Sequence, residues 1–127
     1  MKNIQKLVFI GGNRFGEDGP LIPFMKVSQK KGFKCILITD EEHIKYKSAN
    51  LNSFQDELVK NDINFIVVEN LQDVKVKNLF NEDVFVFSVN CHWIIKKDLI
   101  DLVRGKYLII IMQVYQNRKV LHVIHGG

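Results

Sequence analysis

Up to Val89 the chain carries four short apolar runs: LVFI at 7–10, CILI at 35–38, FIVV at 65–68 and VFVFSV at 84–89. None alternates apolar with charged residues, as a strand with one wet face would. Runs of this length and composition read as strands buried on both faces. Burial on both faces requires helices above and below the sheet, and therefore parallel strands joined by right-handed crossovers. The segments between the runs can supply those helices. Leu21, Phe24, Met25 and Val27-Ser28 form a helical stripe after Asp18-Gly19-Pro20, with Gly32 placed to end it. Ser53 can cap a helix carrying Phe54, Leu58 and Val59, while 71–80 is weakly helical. A short helix at 98–104 turns Leu99, Ile100, Leu102 and Val103 inward and stops at Gly105. The polar stretch 40–52 reads as a loop with one helical turn. Tyr107 opens a fifth strand. The expected fold is α/β, a three-layer Rossmann-like domain with a mostly parallel sheet and a C-terminal β-hairpin.

At 127 residues, one such core is what the chain can bury. No apolar run reaches the roughly 18 residues of a membrane span. The start, MKNIQKLVFIGG, is a strand running into a turn rather than a secretion signal. The expectation is a cytoplasmic protein with no membrane partner. A formal charge of +4 raises the question of nucleic acid, but the excess is carried by 15 Lys against 3 Arg, beside 15 Ile and 11 Asn. Those residues share A/T-rich codons, and the lysines form no stripe with aromatic residues on which bases could stack. Nucleic acid is not an expected partner. Cys35 and Cys91 match no disulfide or zinc spacing, and Cys35 sits in a core run.

Parallel sheets bind ligands at the carboxyl ends of their strands. The residues there are 11–16, Thr39-Asp40, Glu69-Asn70 and 88–93. GGNRFGEDG fits neither the dinucleotide fingerprint nor a P-loop, although Gly12, Asn13 and Arg14 could approach a phosphate or sugar of a substrate. Glu17-Asp18 would repel an anion there, and a flexible turn explains the glycines equally well. A phosphoacceptor receiver domain would need acidic residues after the first strand and an Asp after the third. Here those places hold Gly-Gly and Glu69. His43, His92, His122 and His125 show no ligand spacing, since His122 and His125 would face opposite sides of a strand. No metal is expected.

The stretch FSVNCHWIIKKDLIDLVRGKYL, residues 87–108, is the most informative. A strand ends in a Ser-containing polar turn, then two branched apolar residues, a short helix and a new strand follow. Apart from any ligand, it reads as a crossover with a buried Trp. In this order of features the chain resembles the N-terminal half of the folate-dependent formyltransferases, from Leu7 to about Leu108. That resemblance implies a domain at 1–107, with N10-formyltetrahydrofolate held by Ser88, Val89, Asn90, Trp93, Ile94 and Ile95, largely through backbone groups. The short first loop and the polar ITDEEH stretch look more like the branch acting on nucleotide-linked amino sugars, used in surface polysaccharides such as lipopolysaccharide, than the tRNA branch.

The family's reaction needs an Asn and a His on the fifth strand, donating to the oxyanion and relaying a proton, and a later Asp that sets the His. Here the strand reads Leu108-Ile109-Ile110-Ile111-Met112, and no catalytic residue can be carried over. Residues 108–127 form an atypical β-rich tail rather than a second domain. Read one nucleotide earlier, with A/T-rich codons, Leu108 to Gln116 becomes Asn-Tyr-His-Asn-Ala-Ser-Leu-Pro. That sequence has the family's Asn-x-His and Leu-Pro in place. The expectation is a frameshift or truncation near Leu108, leaving an inactive chain that self-associates through its C-terminal segment. A native terminal hairpin is the alternative for the tail. For function, the alternative is a non-catalytic nucleotide- or folate-binding module or remnant.

Overall fold

The computed structural model describes residues 4–11, 21–47, 52–89, 91, 93–115 and 118–124. A single six-stranded sheet runs through the molecule in the order β3-β2-β1-β4-β5-β6. Its strands are β1 Lys6–Gly11, β2 Lys34–Thr39, β3 Asn64–Val67, β4 Val84–Val89, β5 Tyr107–Tyr115 and β6 Arg118–Ile124. The first five are parallel, and β6 returns antiparallel along β5 from Tyr115↔Arg118 to Ile109↔Ile124. This is the Rossmann-like α/β fold with a terminal hairpin. The chain steps outward from β1 to β3, returns to β4 beside β1, and steps outward again on the other side. The direction reverses between β1 and β4.

Register explains the two cores. Phe9 pairs with Leu37 and Phe87, Leu37 with Phe65, and Phe87 with Leu108, forming one row on one face. One residue further along, Ile10, Ile38, Ile66, Ser88 and Ile109 form a row on the other. The first face packs with helices α1 (Leu21–Lys30) and α3 (Phe54–Lys60) through Leu21, Met25, Phe54 and Leu58. The second packs with α4 (Val74–Leu79) and α5 (Lys97–Leu102) through Val76, Leu99 and Val103. Helices on both faces are what continuous apolar strands require.

The local signals act as their chemistry dictates. Ser53 accepts from Asp56 N at 3.1 Å and Asp56 accepts from Ser53 N at 3.3 Å, a reciprocal cap on α3. Asp73 caps α4 through Lys75 N. After α1 the chain turns through Gly32 at φ +96°, a conformation that costs a glycine little. Between β2 and α3 the described residues make one helical turn, α2 (Glu41–Ile44). Not every residue of the expected apolar stripes is buried: Phe24 and Val27 of α1 are 38% and 53% exposed. Val59 is 63% exposed and Leu102 43% exposed. In the last two cases the buried pair is four residues apart, Phe54 with Leu58 and Leu99 with Val103, and the neighbouring residue is rotated about 100° off that line. Trp93 is half-buried rather than buried. Gly19 and Pro20, expected at the start of α1, lie outside the described residues.

Replacing Leu58, fully buried, with Ala should cost about 2–5 kcal/mol, while Val59→Ala should stay within about 0.5 kcal/mol. Urea unfolding of the two variants checks this. Equal losses would put the packed face of α3 elsewhere.

Candidate functional site

The carboxyl end of the sheet has two halves of different character. Over β2 and β3 lies a cleft of about 690 Å³ lined by Asp40, Glu41, Glu42, Glu69, Asp73, Lys75, Val67 and Val68. Five carboxylates face one ammonium there, so phosphate or a carboxylate tail would be repelled. Asp40 stands at the end of β2, where an acidic residue can receive a ribose hydroxyl in dinucleotide-binding sheets. Its Oδ1 instead accepts from His43 N at 2.8 Å and lies 2.6 Å from His43 Nδ1. That oxygen caps α2 and orients the imidazole, a structural role. Among the described residues, no group of three or more His, Cys, Asp and Glu side chains could hold a metal ion.

The other half is the crevice between β1 and β4, where the strand order reverses. Gly11 pairs with Val89, and a Cβ added at Gly11 would stand 2.3 Å from the Val89 carbonyl oxygen. Only glycine permits that approach. From there the chain leaves β4 into residues that belong to neither helix nor strand, Cys91 and Trp93 to Lys96. Their backbone groups stand outside any ladder, but Trp93 N donates to Cys91 Sγ at 3.3 Å and the Lys96 carbonyl accepts from Leu99 N and Ile100 N at the start of α5. Trp93 and Ile95 rest on the core of α4 and α5, whereas Ile94 is 83% exposed.

The residues singled out from the sequence are thus distributed unevenly. Ser88 and Val89 are buried strand residues, and the Val89 side chain belongs to the core under α1 and α3. Only their backbone borders the crevice. Trp93, Ile94 and Ile95 lie together on the turn beyond. Gly12, Asn13, Arg14 and Asn90 lie outside the described residues, as do His92 and His125. Cys35 is a core thiol, its Sγ 3.8 Å from the Met25 carbonyl, and burial pushes its pKa up to about 11. That keeps it protonated and unreactive. On β5, Leu108 and Ile109 are half-buried and Ile110 is buried, so the positions nearest the crevice carry no hydrogen-bonding side chain. Comparison with known proteins finds neither a matching family model nor a matching curated protein.

The sequence places Thr39 at the carboxyl end of a strand but assigns it no role. It is 1% exposed at the end of β2, and its Oγ1 has no hydrogen-bond partner among the described residues. An orphaned buried hydroxyl costs about 1–3 kcal/mol. Thr39→Val, which keeps the shape and removes the hydroxyl, should therefore leave stability unchanged or raise it by about 1 kcal/mol. Thermal unfolding of the two proteins decides it. A clear loss of stability would mean that the hydroxyl is bonded in the folded chain.

Proposed function

We propose that this sheet is the cofactor-binding part of a folate-dependent formyltransferase, and that the chain itself binds folate without turnover. The observation that carries the reading is the turn after β4. It leaves a central strand at the reversal point, sets half-buried Trp93 and exposed Ile94 side by side, and keeps Trp93 to Lys96 out of any ladder. A flat heterocycle such as a pterin needs those features, an apolar surface for its face and backbone groups for its edge. Folate would supply the formyl group carried on its N10 nitrogen, and the acidic cleft over β2 and β3 would turn its glutamate tail toward the β1–β4 side.

Catalysis does not fit the residues present. Formyl transfer builds negative charge on the formyl oxygen, and stabilising it takes preorganised donors. At 108–110 the chain offers Leu, Ile and Ile. A frameshift near Leu108 accounts for that loss, and the gene's nucleotide sequence tests it. The acceptor in the intact family reaction is an amino group, which the resemblance assigns to a nucleotide-linked amino sugar. Such substrates carry with them a cytoplasmic location, and no helix among the described residues is long and apolar enough to cross a membrane.

The rival reading is a module for a nucleotide rather than a folate. The five carboxylates over β2 and β3 weigh against it, because they would repel a nucleotide's phosphates. Trp93 is the only Trp, so its emission reports on the turn. Titration with a reduced-folate analogue should quench it at high ligand concentration, and no formyl transfer to an amino-sugar nucleotide should accompany binding. Quenching by the nucleotide alone would favour the rival, and measurable turnover would overturn the assignment of a lost catalytic pair.

A further inference from the structure

Among the described residues, β6 pairs with β5 alone and ends the sheet. Every second amide and carbonyl of an antiparallel edge strand points away from its neighbour. Over Arg118–Ile124 that makes a template seven residues long, whereas the opposite edge, β3, has four. Edges are ordinarily blunted by proline, by charges spaced along the strand or by a bulge. The sequence from Tyr107 onward contains no proline, and its only formal charges in β6, Arg118 and Lys119, sit together at one end.

We propose that β6 pairs antiparallel with the β6 of a second copy, across a two-fold axis at Leu121. In that register Arg118 stands opposite Ile124, Lys119 opposite Val123, Val120 opposite His122, and Leu121 opposite itself. Each basic residue meets an apolar one and none meets its like. The two Arg118 positions are six residues apart along the ladder, roughly 20 Å. That is well beyond the screening length of about 8 Å at physiological salt. Parallel pairing would set Arg118 and Lys119 beside their own copies, and like charges side by side are unfavourable. The distribution of charge therefore selects the direction, pairing along all seven residues selects the register, and a two-fold pair is closed, which limits assembly to a dimer. Two six-stranded sheets become one continuous sheet. The inference stands on β6 alone and does not depend on the folate reading.

Light scattering coupled to gel filtration measures the mass of the unaltered chain over a range of concentrations. Single cysteines at 121 or at 118, each in a Cys91→Ser background with Cys35 buried, then report the register under mild oxidation. Cβ atoms of directly opposed residues in an antiparallel pair lie about 4.5–5.5 Å apart, close enough for a disulfide after a small adjustment. The expected result is a dimer that cross-links at Leu121→Cys at least tenfold faster than at Arg118→Cys, with circular dichroism unchanged in both variants. A monomer at every concentration, an open-ended polymer joining β6 to β3, or equal cross-linking at the two positions would overturn the proposal.

Discussion

Between β1 and β4 two backbones approach so closely that no side chain can stand between them. Gly11 and Val89 are paired at the ends of the two central strands, and the space where a Cβ would point is taken by the Val89 carbonyl oxygen. Much follows from that contact. It holds the two halves of the sheet in register through Ile10↔Ser88, and it brings the chain out of β4 beside the end of β1. The turn carrying Trp93 and Ile94 starts from that point. A sheet whose strand order reverses opens a crevice at the reversal, and among the described residues Gly11 and Val89 meet there through their backbones.

The electrostatics of the carboxyl edge reinforce the same division. The five carboxylates over β2 and β3 make that side unsuitable for an anion, and the capping role of Asp40 removes its Oδ1 from ligand recognition. Ser88 places one hydroxyl in a row otherwise made of isoleucines. The aromatic cluster of Phe9, Phe24, Phe85 and Phe87 stiffens β1 and β4 from the other face, with centroids 5.0–5.4 Å apart. Rigid strands under an irregular turn are a common way to hold a binding surface in place.

Much of this architecture was legible in the sequence because it rests on local rules. Short continuous apolar runs bounded by turn residues read as doubly covered strands, and β4 spans the residues 84–89 that its pattern indicates. The cap at Ser53 and the turn at Gly32 follow equally from residue chemistry. Val59 and Leu102 were misplaced because apolarity does not report angle, and in helices of six or seven residues the buried stripe is one residue wide. The site was less legible. Gly11 is one of an adjacent glycine pair, and nothing local tells which of the two meets a neighbouring strand distant in sequence. The orphaned Thr39 hydroxyl is likewise a property of packing, which no pattern of residue types encodes.

The close approach of Gly11 to Val89 should therefore support both the fold and the turn that follows β4. Gly11→Ala, followed by urea unfolding and Trp93 emission, tests it most directly. Overpacking against a backbone atom should destabilise the fold by about 1–3 kcal/mol, and emission should shift to the red as the turn loses its seat. An alanine variant with unchanged stability and unchanged emission would contradict the account.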